Sequence, residues 1–406
     1  MASHDLILNS NVNCDSSYSA DQQALLGSTG LAESLSIISK WPGYNHTPLL
    51  TLTGLATETR VASVFYKDES HRFHLKSFKP LGGAYAVAQL LIEKLPTLIG
   101  SESVSVDDLL TGLYSEVCQN ITVTAATDGN HGRSVAWGAQ MFGCKCVIFI
   151  NAAVSFGREK AIAELGAEVR RNPGSFDDAV RVAQKTADEN GWHVIADTST
   201  GTDSQSPRHV TQGYAVMAAE TISQLAGSQP PTHTFVQVGV GGLAAAICSQ
   251  FWEEFGPKRP KLVTVEPFNA ACCFESIRNG RPTTIEGDLD SLMCGLACGE
   301  MSRLAWDILK SGAHAAIKIS DEAAVAAMRR LAFGNGDDPP IVAGESGVAG
   351  LAGFLAVVGD PESRERLDIT ESSRIVLFGT EGATDRDTYK EIVGLHPEEV
   401  YIEERI

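Results

Sequence analysis

Three features of the 406-residue sequence predict an α/β chain with two parallel-sheet, three-layer domains. Short aliphatic and β-branched runs alternate with helical segments from Ile121 to Ala196, and the same alternation resumes between Gly213 and Phe378. A hydrophobic content of 43% supplies enough apolar surface for two cores, and two sheets suit this length better than one very wide sheet.

Taken in order, residues 1–30 are rich in Ser, Asn and Asp, show no sustained period, and are expected to form a loosely tied arm. Turn and extended signals at 41–44 and 47–50 precede a strand at 61–68. A buried helix follows over Ala86–Ile92. Strands are predicted at 121–125, 146–150, 168–170 and 193–196, with helices at 132–142, 158–165 and 176–190 between them. The second half reads as helix 213–225, strand 234–238, helix 243–255, strand 262–265, helices 323–331 and 347–358, and a last strand at 374–378. The resulting domains are residues 1–87 (arm and first part of the large domain), 88–205 (small domain) and 206–406 (remainder of the large domain).

Charge and composition exclude several classes. A formal net charge of -18 repels nucleic acid and anionic membranes. No apolar run is long enough to span a bilayer, and no signal core follows the first residues, so a cytoplasmic protein is expected. The ten histidines include no His-x-x-x-His pair and the nine cysteines no Cys-x-x-Cys pair, which argues against metal and for core thiols.

Three stretches carry chemistry. Lys79 lies between Phe78 and the Pro80-Leu81-Gly82-Gly83 step at a helix entrance. An apolar wall behind its amine disfavours the ammonium, as a Schiff-base lysine requires. Pro80 is expected to restrict Lys79 to extended backbone angles. The second stretch, Gly239-Val240-Gly241-Gly242-Leu243, separates a strand from a helix, so its amides converge on one anion as a phosphate cradle. Gly239, Gly241 and Ala244 with Glu266 also fit a dinucleotide fingerprint, which leaves an NAD-dependent dehydrogenase open. The third is the loop Thr127-Asp128-Gly129-Asn130-His131-Gly132. Free amides at its helix start, with Thr127 and Asn130, suit a substrate carboxylate, and Asp128 is titratable; an ordinary helix cap would use the same residue types.

In this order the three stretches resemble those of the tryptophan-synthase-β-like, fold type II pyridoxal-phosphate enzymes. Ala196-Asp197-Thr198-Ser199, Met293 to Glu300, Gly344-Glu345-Ser346-Gly347 and Thr380-Glu381-Gly382 extend the likeness to the diaminopropionate ammonia-lyase family from about Trp41 onward. The resemblance implies pyridoxal 5'-phosphate bound covalently by Lys79, its phosphate on Gly239, Val240, Gly241, Gly242 and Leu243, its ring hydroxyl near Asn130 and its pyridine nitrogen facing Thr380. It also implies elimination from D- and L-2,3-diaminopropionate to pyruvate and ammonia, with Lys79 the base for the L form and Asp128 for the D form. Thr127, Asp128, Gly129, His131 and Asp197 would bind the substrate, Asp197 through the distal amine. A serine or threonine dehydratase, or a β-replacement enzyme, would keep the same motifs. The family further implies a homodimer acting on a small amino acid, and places a cysteine pair at Cys272 and Cys298.

Overall fold

The computed structural model describes residues 4–401 apart from 13, 128, 175, 199–204 and 335. Two compact units form: residues 1–28, 46–77 and 217–406 make the first, and 29–45 with 78–216 the second. The stretch 88–205 expected as the small domain falls inside the second unit, which also takes in a piece of the chain before residue 46.

Eleven strands are present: β1 (His4–Leu8), β2 (Leu49–Thr51), β3 (Ser63–Asp68), β4 (Thr122–Ala126), β5 (Lys145–Ile150), β6 (Glu168–Arg171), β7 (His193–Val194), β8 (His233–Gln237), β9 (Lys261–Pro267), β10 (Ala313–Ile319) and β11 (Arg374–Gly379), counted among the described residues. In the first unit they form a seven-stranded sheet of order β1-β10-β9-β8-β11-β3-β2. Its five inner strands are parallel, and β1 and β2 close the edges antiparallel. Every residue of β8 is buried, as expected of a strand covered on both faces. Phe235 on β8 meets Phe354 of the helix Ala349–Val358 at 5.5 Å between ring centroids. The second unit carries the parallel sheet β6-β5-β4-β7, with Val147 and Phe149 packed on Ala179 and Ala183 of the helix Phe176–Asn190.

The arm is not loose. β1 pairs with β10 over His4↔Ile319 to Leu8↔Ala315, Asn9 donates to the carbonyls of Lys310 and Ala313, and the Trp252 indole donates to the Ser16 carbonyl. Its polar composition hid a strand whose stability comes from the partner edge. β10 itself escaped prediction because Ala-His-Ala-Ala lacks strand propensity, and parallel pairing with β9 overrides that.

One polar cluster is fully enclosed in the first unit. Lys67 on β3 donates to Glu220, to the Thr47 carbonyl and to Gln224, at 2.8, 2.9 and 2.8 Å. Arg72 bridges Glu69 and Glu220 with paired guanidinium bonds. Burial opposes the charge on Glu220, yet Arg72 and Lys67 hold its carboxyl below the usual range. Immediately after Arg72 the backbone turns left-handed at Phe73, His74 and Lys76, with φ of 47°, 60° and 57°. Such residues persist only where their surroundings over-determine them, and the enclosed quartet is the fixed point from which that run starts.

At the opposite end of the strands, His233 opens β8 fully buried, its Nε2 donating to the Leu367 carbonyl at 2.8 Å. Burial depresses its pKa from 6.5 to about 4. Below pH 6.5 the unfolded chain binds a proton that the folded chain refuses. This contribution is therefore complete above pH 6.5 and is lost as pH falls toward 4. The shift corresponds to about 3 kcal/mol at most. Urea midpoints measured from pH 7 to pH 4 are expected to fall across this window, and His233→Gln is expected to flatten the fall; an equal slope in the variant counts against the assignment.

Candidate active site

Lys79 caps the helix Pro80–Ile99 with φ -52° and ψ -33°, right-handed and not extended as expected. The reason is local: Pro80 stands at the first helical position, where a missing N–H costs nothing, and the Lys79 carbonyl accepts from both Gly82 and Gly83 at 3.0 Å. Those bonds offset the steric bias that a following proline imposes.

The amine does not face a bare apolar wall either. Its Nζ donates to Asp197 at 3.0 Å and lies 5.5 Å from the Phe78 ring centroid and 5.8 Å from that of Tyr214. Asp197 follows β7, and His131 approaches it from the helix Asn130–Phe142, with Nδ1 3.9 Å from the Asp197 carboxylate. The His131 Nε2 meets the Ile195 carbonyl at 2.7 Å; a carbonyl can only accept, so the proton sits on Nε2. Burial depresses the His131 pKa and keeps the ring neutral, which leaves Nδ1 a buried acceptor with no hydrogen-bond donor. Burial opposes ionisation of Asp197 as well, but the Lys79 ammonium, donating to it, holds its carboxyl well below the ordinary carboxylate range. With His131 neutral, the ammonium is the effective partner.

The loop before that helix is built by Thr127, whose hydroxyl oxygen accepts from the amides of Gly129 and Gly132 at 3.0 and 3.1 Å. Gly129, the residue before the helix, takes φ 156° and ψ -88°, a region closed to side chains, and so has no side chain with which to cap it. Asn130 is its first residue, with Oδ1 3.5 Å from an Arg133 nitrogen. Asp128 lies outside the described residues. Thus Lys79, Thr127, Gly129, Asn130, His131 and Asp197 all belong to the second unit.

Gly239 to Leu243 and Thr380 belong to the first unit. The glycine stretch follows β8 and enters the helix Gly242–Phe255, which no side chain caps. Gly241 has φ 95°, and a Cβ there would fall 2.8 Å from that of Ala305; one at Gly239 would fall 3.0 Å from the Gly295 carbonyl oxygen. Only a bare backbone fits, and uncapped amides at a helix start are donors for a phosphate. Beside it, the Gln237 side-chain amide donates to the Thr380 hydroxyl oxygen at 2.7 Å and to the carbonyls of Phe378 and Gly347. With its oxygen so occupied, the Thr380 hydroxyl is set to donate. Sequence reasoning missed Gln237, because a glutamine inside an aliphatic strand carries no motif; its burial at a strand's carboxyl end is the only signal. The separate motifs also meet here: Gly295 donates to Ser346, Ser346 to Glu381, and Gly344 to the Glu381 carbonyl.

The dinucleotide alternative fails at Glu266. Both its oxygens accept amides, from Cys273 and Phe274 at 2.7 Å, so it caps the helix Cys272–Asn279 and offers nothing to a ribose. Burial pushes its pKa up to about 8. All nine cysteines, Cys272 and Cys298 included, are free thiols. Among the described residues no helix is long and apolar enough to cross a membrane.

Comparison with known proteins gives the family. The family model described as "Pyridoxal-phosphate dependent enzyme" matches residues 40–381. The diaminopropionate ammonia-lyase of Escherichia coli strain K12 is 38% identical over 358 residues, 87% of this chain and 88% of that protein. That of Salmonella typhimurium is 36% identical over 369 residues, 89% of this chain and 91% of that protein. The crystal structure of the Escherichia coli enzyme in complex with an aminoacrylate–PLP azomethine reaction intermediate superposes with a TM-score of 0.85 at 35% identity, covering 97% of both chains. With a lysine at a helix entrance, an uncapped glycine cradle after β8 and these relatives along nearly its whole length, the chain belongs to the pyridoxal-phosphate-dependent enzymes of fold type II, in the diaminopropionate ammonia-lyase family.

Proposed function

We propose that the protein eliminates ammonia from 2,3-diaminopropionate, consuming one water and releasing pyruvate and two molecules of ammonia. The observation that carries this reading is the pair of acceptors at Asp197 and His131, 3.9 Å apart and beside Lys79. Two adjacent acceptors, the imidazole one with no donor of its own, suit a substrate that brings a second amine, whereas a hydroxy-amino acid brings one O–H.

Pyridoxal phosphate, when bound, serves as the electron sink for a carbanion at the substrate's α carbon. Lys79 would bind its aldehyde carbon, the amides of Gly239 to Leu243 its phosphate, Asn130 its ring hydroxyl and Thr380 its pyridine nitrogen. A hydroxyl donor at that nitrogen leaves it largely unprotonated, which favours expulsion of a β leaving group over a long-lived carbanion. The start of the helix Asn130–Phe142 would hold the substrate carboxylate, with the Thr127 hydroxyl proton still available as a donor. Lys79 would take the α proton of the L form and Asp128 that of the D form. We further propose a cytoplasmic homodimer, for which mass measurement in solution is the check.

A substrate panel tests the reading. Both enantiomers of 2,3-diaminopropionate are expected to exceed serine and threonine in pyruvate release by at least about tenfold in kcat/KM, the scale of one buried polar pairing. Asp128→Asn is expected to lose turnover of the D form far more than that of the L form. Faster turnover of the hydroxy-amino acids would replace the lyase with a dehydratase, and equal losses in Asp128→Asn would reject the two-base scheme.

A further inference from the structure

We propose that Tyr214 is a positioning residue for Lys79, its ring forming with Phe78 an aromatic slot that keeps the free amine beside Asp197. The placement is built in. Tyr214 projects from the helix Gln205–Gln224 with 2% of its surface exposed, and its ring centroid lies 4.6 Å from that of Phe78 at 54°. Room for it exists because position 82 is glycine: a Cβ there would fall 2.4 Å from the Tyr214 Cε1. The neighbouring Gly213 lets the two helices close further, since a Cβ at that position would fall 1.9 Å from the Leu81 carbonyl oxygen. The Gly82-Gly83 step after Lys79 is therefore, in part, a slot for Tyr214, a residue far downstream in the chain.

The ring, not the hydroxyl, is the working part. Burial pushes the phenol pKa up to about 12 against the pull of the nearby Lys79 ammonium, so it is no base near neutral pH, and its oxygen, though close to that amine, makes no well-formed hydrogen bond. Two ring faces within 6 Å of an ammonium attract it electrostatically and close off other directions. The described titratable groups around the amine are Asp197, His131 and Tyr214 itself. If Lys79 acts as proposed above, the slot confines its amine whenever that amine is not covalently engaged.

The test reads the amine and not turnover. In the full-length, cofactor-free chain the lysines are labelled by reductive 13C-methylation, the Lys79 signal is assigned by its absence in Lys79→Ala, and its pH midpoint is measured. Tyr214→Leu is expected to lower the midpoint by roughly half a unit to one unit, because the ammonium form alone loses the attraction of the ring. Tyr214→Phe keeps the ring and is expected to titrate like the wild type. Phe78→Leu removes the opposite face and should shift the same way, which keeps the proposal decidable should Tyr214→Leu not fold. An unchanged midpoint in the leucine variants, or an equal shift in Tyr214→Phe, overturns it. Failure of pyruvate release in the wild type would instead count against the proposed reaction and leave these midpoints unaffected.

Discussion

Lys79→Ala is expected to lower pyruvate release from 2,3-diaminopropionate by about a thousandfold or more, because it removes both the proposed covalent attachment and the proposed base for the L form. The same variant should lose the borohydride-trappable linkage to pyridoxal phosphate. Lys79→Arg separates two contributions. A guanidinium can still pair with Asp197, so the fold around the site should survive, but it stays protonated and cannot attack an aldehyde carbon. Both variants should melt close to the wild type while being inactive. The assay is steady-state pyruvate release beside an absorbance spectrum; a Lys79→Ala protein that kept most of the wild-type rate would remove the lysine from the chemistry. Loss of the ammonium also strips Asp197 of its effective partner, so its carboxyl should titrate at higher pH in Lys79→Ala than in the wild type.

The second large effect is on stability. Glu220→Ala leaves the Lys67 ammonium and the Arg72 guanidinium enclosed with half of their counter-charge, and breaking a buried ionic network in this way costs about 3–5 kcal/mol. Glu220→Gln preserves hydrogen-bonding shape and should fall between the wild type and Glu220→Ala. Urea unfolding monitored by circular dichroism checks both, and a loss under about 1 kcal/mol for Glu220→Ala would place the quartet among dispensable ion pairs. The damage should extend beyond the four side chains. Phe73, His74 and Lys76 occupy backbone states that cost of order 1–3 kcal/mol each, and they follow directly on Arg72. Proteolysis near these residues is the expected symptom.

How much of this could be read from residues alone depended on whether the signal was local. Strands such as Val147 to Ile150 and Ile375 to Phe378 announce themselves, because burial on both faces demands unbroken apolar sequence. β1 and β10 did not, since one is a short run inside a polar arm and the other is alanine-rich, and each is a strand by virtue of its neighbour. The same division holds in the site. Lys79 and the glycine stretch stood out because the roles proposed for them, covalent attachment and phosphate binding, need particular residues at particular places. The right-handed geometry of Lys79 was not, since a residue before proline is steered elsewhere unless the next turn supplies bonds, and here the glycine amides supply them. Asp197 entered only through the family resemblance. Gln237 and Tyr214 went unassigned, because their partners, Thr380 and Lys79, stand far away along the chain.

Strand order also dictates a sequence of events during synthesis. The sheet β6-β5-β4-β7 is complete once Val194 has left the ribosome, so that unit can organise while translation continues. The other sheet cannot. β11 lies between β8 and β3, about three hundred residues after the latter, and until it emerges the centre of that sheet is a gap with naked edges on both sides. A ribosome stalled before Arg374 would therefore hold one finished module and one open, aggregation-prone template, which makes the codons from Arg374 to Gly379 the ones on which a well-folded product depends.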